Sequence, residues 1–134
     1  MTDTKIQTVQ EIYEAFGRGD VPAILDRLAD SLDFGSEVES TVAPWHGHRT
    51  TKAEVAEFFR LIVENLEVTE FTPLAFTSSD TEVMSVVRFG VKVPATGKHG
   101  EMDIHHWWKF DDAGKVCFYR GTEDTALTAE LLAP

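Results

Sequence analysis

One histidine lies among alternating apolar side chains in the second half of the sequence. Residues 101–110 alternate as a β-strand does, which places His106 on one face of that strand. The residues that share its face are Met102, Ile104, Trp108 and Phe110. An imidazole with a pKa of about 6.5 can donate a hydrogen bond to a developing enolate or carbonyl oxygen, or serve as a general acid or base. The alternative interpretation is a polar core residue that is bonded to a neighbour.

A charge interrupts the apolar stretch between residues 82 and 93. Alternation groups Arg88 with Val86 and Gly90, and we expect Arg88 to face the same pocket as His106. A buried guanidinium needs an anion, so Arg88 should pair with a carboxylate or bind a ligand oxygen. A purely structural ion pair is the alternative. The candidate carboxylates are Glu37, Glu39 and Glu123.

The last predicted strand supplies two further candidates. Its residues Cys117, Tyr119, Gly121 and Glu123 alternate onto one face. We predict that Tyr119 presents its hydroxyl to the pocket and that Glu123 joins it. The sequence thus nominates four catalytic residues, which are His106, Arg88, Tyr119 and Glu123.

A shared metal ion is an alternative role for the histidines. We predict no metal site, because His46 and His48 flank a glycine in a loop and no cysteine supports them. His105 and His106 also point to opposite faces of their strand. The sequence has neither a phosphate-binding loop nor a dinucleotide fingerprint, so we expect chemistry without a cofactor.

Helical periodicity predicts the first elements that position these side chains. Apolar residues at three- and four-residue spacing predict an amphipathic helix over residues 4–17. A second, short helix follows, with Asp20 as its N-cap and Pro22 in its first turn. The capping pattern of Thr51 and Glu54 predicts the start of a long third helix.

The remaining elements are strands and a short terminal helix. A brief strand is expected at residues 32–34, then an irregular stretch over residues 35–49. Beyond the third helix the apolar period changes to two, which predicts successive antiparallel hairpins. Their strands are expected at residues 67–77, 82–93, 101–110 and 115–123, and a final helix at residues 125–132.

The amino-acid composition restricts the kinds of molecule that the protein is expected to bind. The 134 residues carry a formal charge of -11 and no basic run, which disfavours nucleic acid and anionic membrane surfaces. No apolar run approaches the roughly 20 residues of a membrane span, and the first residues lack the pattern of a secretory signal. We therefore expect a cytoplasmic protein that binds a neutral, largely apolar small molecule. Cys117 is the only cysteine and is expected to be a small core residue.

Three motifs in this order resemble one known family over nearly the whole sequence. They are Gly17-Arg18-Gly19-Asp20, then Trp45-His46-Gly47-His48 ahead of Val55-Ala56-Glu57-Phe58-Phe59, then His106-Trp107-Trp108-Lys109-Phe110 ahead of Gly114-Lys115-Val116. The sequence resembles SnoaL-like proteins, in the ketosteroid-isomerase-related branch of the nuclear transport factor 2-like superfamily. The resemblance implies one α+β domain over residues 1–134. Its cone-shaped, curved antiparallel sheet would pack on the long helix, with the N-terminal helical hairpin at the pocket mouth.

The resemblance also implies roles for positions in the pocket. Matched to the related isomerases, His106 falls where a protonated carboxylic acid forms the oxyanion hole, and Phe34 falls where the catalytic base stands. Matched to the related epoxide hydrolases, Arg88 replaces a pocket carboxylate and Gly121 replaces the catalytic Asp. The positions of the isomerase base and of the hydrolase Asp thus carry Phe34 and Gly121, and neither residue can accept a proton. The residues that could replace the base are Glu37, Glu39, His46 and Glu123.

The superfamily includes isomerases, polyketide cyclases, epoxide hydrolases, dehydratases and binding or assembly modules. We expect a cofactor-independent isomerase, cyclase or dehydratase that transfers a proton on a neutral steroid-, polyketide- or terpenoid-like substrate. The alternative is a non-catalytic module that binds an apolar ligand. The predicted ligand contacts are Phe34, Glu37, Trp45, Phe58, Ile62, Met102, Ile104 and Trp108.

Alternation also predicts an apolar patch on the outer face of the sheet. Its members would be Val87, Phe89, Val91, Trp107 and Phe118. Such a patch favours a symmetric homodimer, and the resembling families commonly dimerise through this face. The alternative is that the segment from Thr125 to Pro134 covers the patch within one subunit.

Overall fold

The computed structural model describes residues 3–36 and 42–134, in which four helices and six strands follow one another. In chain order the elements are α1 (Thr4–Arg18), α2 (Val21–Leu25), β1 (Leu28–Ser36), β2 (His48–Thr51), α3 (Lys52–Asn65), β3 (Glu67–Ser78), β4 (Glu82–Val93), β5 (Lys98–Phe110), β6 (Val116–Thr122) and α4 (Thr125–Leu132).

Side-chain caps begin the helices where the sequence predicts them. The Asp20 carboxylate accepts a hydrogen bond from the N–H of Ala23 at 3.2 Å, which caps α2. The Thr51 hydroxyl accepts from the N–H of Glu54 at 3.2 Å, which caps α3. Helix α1 ends at Gly19, whose φ of 71° lies in the left-handed region that glycine adopts readily. The first two helices therefore form the predicted hairpin.

All six strands belong to one sheet with the order β2-β1-β6-β5-β4-β3. Neighbouring strands are antiparallel except β1 and β6, which run parallel. The sequence did not predict this parallel pair. It also predicted a shorter β1, and it placed the start of β2 within a stretch expected to be irregular. A parallel pair needs a long crossover, and here the crossover includes α3 and the four other strands of the sheet.

The main core lies between one face of the sheet and the helices α1 and α3. Val9 on α1, Val55 on α3 and Val87 on β4 are all completely buried there. The predicted α+β fold is thus confirmed, with a curved sheet that packs on the long helix and the N-terminal helical hairpin. No helix in the described ranges combines the length and apolar character that a membrane span requires.

The predicted orientation of Arg88 is wrong. Its side chain is 47% exposed on the outer face of the sheet, and its Nε lies 3.3 Å from the Asp103 carboxylate on β5. The inner face of β4 instead carries Val83, Ser85 and Val87, which are all buried. Burying valines on that face avoids the cost of removing a guanidinium from water.

The predicted outer patch is also wrong for its three members on β4. Val87 and Val91 are buried, and Phe89 lines the interior. Trp107 and Phe118 do lie together on the outer face, with ring centroids 5.0 Å apart. The ammonium of Lys109 sits 4.5 Å from each of the two ring centroids, so the patch is smaller and more charged than expected. The homodimer stays a prediction, which light scattering at micromolar concentration tests.

Candidate functional site

An apolar cavity of about 120 Å³ lies between the inner face of the sheet and the helices α1 and α3. Six of the predicted ligand contacts line it, and they are Phe34, Trp45, Phe58, Ile62, Ile104 and Trp108. Three of the four predicted catalytic residues, His106, Tyr119 and Glu123, line it as well. The cavity thus brings together most of the side chains that the sequence nominated.

Three nominated residues are not part of this cavity. Arg88 lies on the opposite face of the sheet, as described above. Met102 is buried in the core but lines a separate void of about 10 Å³, since Leu131 of α4 packs over that end of β5. Glu37, like the alternative base Glu39, lies outside the described residues.

His106 is held by a residue of the first helix. The Tyr13 hydroxyl lies 2.6 Å from Nδ1 of His106 and 2.5 Å from the Ser85 hydroxyl. Nε1 of Trp108 donates to the same Tyr13 oxygen at 3.3 Å. Within residues 3–36 and 42–134, nothing hydrogen-bonds to the other ring nitrogen of His106, Nε2. The imidazole is therefore fixed on one side and open to the cavity on the other.

Burial determines the ionisation of this network. It lowers the pKa of His106 to about 3, and the charge of neighbouring His105 contributes in the same direction. Burial also raises the pKa of Tyr13 to about 12, although hydrogen bonds from Ser85 and Trp108 oppose that shift. At neutral pH the cavity wall therefore carries a neutral imidazole bonded to a neutral phenol.

Sequence reasoning missed Tyr13 and Ser85. The helical spacing of residues 4–17 places either Ile12 or Tyr13 on the apolar face, and a buried tyrosine hydroxyl usually has a polar partner, which is the available signal. Ser85 lies directly opposite His106 in the pairing of β4 with β5. That register could be found only after the inner face of β4 was known.

The Tyr119 ring is packed among aromatic neighbours. Its centroid lies 4.5 Å from that of Phe34 in a stacked arrangement, and 4.5 Å from that of Trp108. Burial raises the pKa of Tyr119 well above its ordinary value, and electrostatic interactions with Tyr13 and Glu123 add to the shift. No described residue hydrogen-bonds to its hydroxyl, which leaves a protonated phenol at the cavity wall as a donor.

Glu123 is the carboxylate that lines the cavity among the described residues. It pairs with Nε2 of His46, and the Thr128 hydroxyl donates to it at 2.5 Å. Burial alone would raise the pKa of Glu123, but hydrogen bonds from His46, Thr128 and Trp45 outweigh burial and lower it. The group is consequently a carboxylate at neutral pH, and it connects the loop before β2 to α4.

The histidines do not form a metal cluster in the described part of the chain. His46 pairs with Glu123, whereas His48 is exposed and its ring packs over Gly35. Across residues 3–36 and 42–134, no three histidine, cysteine, aspartate or glutamate side chains come together as a metal site would require. The cavity therefore offers hydrogen-bond donors and one carboxylate.

Comparison with known proteins identifies the family. A family model described as the SnoaL-like domain matches residues 9–119. This chain belongs to the SnoaL-like family. The resemblance expected from the sequence is thereby confirmed. No curated protein matches this SnoaL-like chain.

Solved structures extend the likeness to the whole SnoaL-like chain. An NTF2-like protein of unknown function from Burkholderia pseudomallei K96243 is 25% identical, with a TM-score of 0.90 over 99% of this chain and 100% of that one. An NTF2-like protein from Burkholderia thailandensis E264 is 27% identical, with a TM-score of 0.87 over 99% and 100%. TerC, co-crystallised with polyporic acid, is 20% identical, with a TM-score of 0.85 over 96% and 98%, and shares the fold alone.

Proposed function

We propose that this SnoaL-like protein is a cofactor-independent enzyme that moves a proton next to the carbonyl group of a small, neutral, apolar substrate. Isomerases, cyclases and dehydratases all use that step. One observation carries the proposal: His106 is neutral at the cavity wall, with Nδ1 fixed by Tyr13 and Nε2 open to the cavity. A neutral imidazole in this position stabilises negative charge that develops on a substrate oxygen.

The hydrogen-bond network is compatible with a proton on Nε2 of His106. Trp108 can only donate, so it uses one lone pair of the Tyr13 oxygen. In the arrangement we propose, the Ser85 hydroxyl donates to the second lone pair and the Tyr13 O–H donates to Nδ1 of His106. Nε2 then carries the hydrogen and points it into the cavity. The substrate carbonyl oxygen accepts from Nε2–H and from the Tyr119 hydroxyl.

The proton acceptor in this proposal is Glu123. Its carboxylate takes a proton from the carbon beside the carbonyl, and the C–H electron pair forms the enolate double bond. The carbonyl π pair moves to the oxygen, where His106 and Tyr119 donate to it. Return of the proton to another carbon completes an isomerisation. Attack of the enolate carbon on a second carbonyl carbon gives cyclisation: the π pair of that carbonyl moves to its oxygen, which takes the proton from Glu123. Expulsion of hydroxide, which takes the proton from Glu123 and leaves as water, gives dehydration.

Cavity size favours a small substrate within the expected classes. A volume of about 120 Å³ is slightly below the roughly 150 Å³ of an engineered apolar cavity that holds benzene. A single six-membered ring is therefore the upper limit for this space, and a four-ring steroid would need the cavity to widen at its mouth. Monocyclic ketones are accordingly the substrates that we propose. The structural neighbour TerC was co-crystallised with polyporic acid, which supports small-molecule binding by this fold.

The ligand-binding alternative has one observation in its favour. The Glu123 carboxylate already accepts from His46, Thr128 and Trp45, and its pKa is lowered. A carboxylate stabilised in this way is a weaker base. A cavity with two donors and a weak base could bind a carbonyl compound without transforming it.

Proton transfer is tested with a β,γ-unsaturated cyclohexenone as the probe. Its isomerisation to the conjugated enone is followed by ultraviolet absorbance, and solvent exchange next to the carbonyl by NMR in D2O. We expect turnover by the wild-type protein and a loss of roughly 100-fold or more in Glu123→Gln and in His106→Phe. Arg88→Ala is the matched control, because it removes a charge from the opposite face of the sheet.

Two results would contradict the enzyme proposal. One is binding of the probe, measured by calorimetry, with neither isomerisation nor exchange, which selects the binding module. The other is turnover that is unchanged in both Glu123→Gln and His106→Phe, which removes these groups from the mechanism.

A further inference from the structure

The Tyr119 hydroxyl occupies the space that a side chain at position 121 would need. A Cβ built on Gly121 would overlap the hydroxyl oxygen of Tyr119 and would lie 3.1 Å from Cζ of the same ring. Real Cβ atoms rarely approach other heavy atoms this closely, so one of the two groups would have to move. Gly121 has no positive φ, and its lack of a side chain is therefore a matter of space and not of backbone conformation.

Strand register gives this contact its position in the site. Gly121 on β6 lies directly opposite His106 on β5, and Tyr119 lies opposite Trp108. Side chains directly opposite each other on antiparallel strands are about 5 Å apart at Cβ. A hydroxyl that lies over Gly121 is consequently beside the imidazole of His106, and the two ring centroids are 5.2 Å apart.

The Tyr119 ring has little room to move elsewhere. Phe34 stacks on it, and Trp108 and His106 pack against it at centroid distances of 4.5 Å and 5.2 Å. A methyl group at position 121 cannot be accommodated by a small rotation of the phenol within this cluster. It must displace the hydroxyl from its place beside His106.

We propose that Gly121 is the positioning residue of this site, because its missing side chain lets the Tyr119 hydroxyl lie beside His106 as the second donor to one substrate oxygen. That the bound oxygen belongs to a substrate carbonyl rests on the proposed function. The placement of the Tyr119 hydroxyl does not depend on it. This arrangement also explains how Gly121, the residue opposite His106 on β6, contributes to the site although it has no side chain. The hydroxyl of Tyr119, two residues earlier, fills that position.

The placement of the hydroxyl is tested with 3-fluorotyrosine and ¹⁹F NMR. The chain has two tyrosines, Tyr13 and Tyr119, so the labelled protein gives two resonances that Tyr13→Phe assigns. Gly121→Ala should shift the Tyr119 resonance by more than the Tyr13 resonance. The matched control is Gly100→Ala on β5, where a Cβ would make only ordinary contacts of 3.5 Å with Leu127 and Leu131.

The role of the Tyr119 hydroxyl in ligand recognition is tested by calorimetry with two ligands. One is cyclohexanone, and the other is methylcyclohexane, a hydrocarbon of similar shape. Tyr119→Phe and Gly121→Ala should each weaken cyclohexanone binding by roughly tenfold, the effect of one lost hydrogen bond. The double variant should lose no more than either single variant, because both remove the same donor. Methylcyclohexane binding should fall by less than cyclohexanone binding in each variant.

An unchanged Tyr119 resonance in Gly121→Ala would overturn the proposal, as would additive losses of cyclohexanone affinity in the double variant. If Gly121→Ala does not fold, removal of the hydroxyl by Tyr119→Phe in the same chain should restore folding, and failure to restore it also contradicts the proposal. Absence of turnover with any ketone would defeat the enzymatic function and leave these readouts intact. The two proposals therefore fail separately.

Discussion

The hydroxyl of Tyr13 on α1 lies 2.6 Å from Nδ1 of His106 on β5, although 93 positions separate the two residues in the sequence. The pair joins the first helix to the inner face of the sheet through a buried hydrogen bond. Docking of α1 and orientation of the imidazole therefore depend on each other. Any change that loosens the helix also loosens the ring that faces the cavity.

Tyr13→Phe should lower the free energy of unfolding by about 1–3 kcal/mol, because the change removes the hydroxyl partner that His106, Ser85 and Trp108 share. Urea denaturation measures the difference. Tyr119→Phe is the matched control, since that hydroxyl has no partner among the described residues and its loss should cost less. Equal losses in the two variants would contradict the role given to Tyr13.

The buried imidazole predicts a pH dependence of stability. Unfolded His106 binds a proton below its ordinary pKa of 6.5, whereas the folded form binds one only below about 3. Between these values unfolding takes up a proton, so the free energy of unfolding falls as the pH falls. The contribution is fully present above pH 6.5, and its slope approaches about 1.4 kcal/mol per pH unit.

Urea denaturation of the wild type and of His106→Phe across this pH range checks the prediction. The difference between the two slopes gives the contribution of the His106 imidazole, because the other titrating groups are present in both proteins. His99→Gln, which changes an exposed histidine, is the control and should retain the wild-type slope. The same slope in wild type and His106→Phe would show that burial of the neutral ring does not control the acid sensitivity.

Thr128→Val should destabilise the protein by roughly 1.5–3 kcal/mol, because its buried hydroxyl donates at 2.5 Å to the Glu123 carboxylate. Valine keeps the shape of the side chain and removes the donor. Thr125→Val at the start of the same helix is the comparison, and we expect it to cost less. Thermal unfolding of the two variants side by side decides the matter, and a smaller loss in Thr128→Val would count against the Glu123 anchor.

Arg88→Ala should change the free energy of unfolding by less than about 1 kcal/mol and should leave probe turnover unchanged. Its ion pair with Asp103 is solvent-exposed on both sides, and such pairs contribute little. A double-mutant cycle with Asp103→Ala measures the coupling directly. Loss of turnover in Arg88→Ala alone would restore Arg88 to the site and contradict the orientation of β4.

Local rules predicted the elements well because caps and periodicity act over a few residues. The Thr51–Glu54 pattern identified the start of α3 from the sequence. The sequence did not show which face of β4 is buried, because Val86 on one face and Val87 on the other are both apolar. Only pairing with β5 and packing against α1 decide which face is buried, and Arg88 was consequently placed on the wrong one.

Local rules also predicted only part of the candidate site, because they act over a few neighbouring residues. Alternation along β5 and β6 was enough to place His106, Tyr119 and Glu123 on the inner face. The partners that define their chemistry come from distant elements, namely Tyr13 for His106 and His46 for Glu123. No spacing rule connects residues so far apart, and these contacts had to be seen in three dimensions.

The parallel pairing of β1 with β6 has a consequence for biosynthesis. Residues 28–36 leave the ribosome before their partner at residues 116–122, because β2, α3, β3, β4 and β5 are translated in between. Until then β1 has only the short β2 beside it, and Phe34 lacks the Tyr119 ring that covers it. The nascent chain therefore leaves this edge of β1 unpaired until β6 has been translated, and unpaired strand edges are the kind of surface that chaperones protect. The cavity, whose wall includes Tyr119 and Gly121, cannot form before that point.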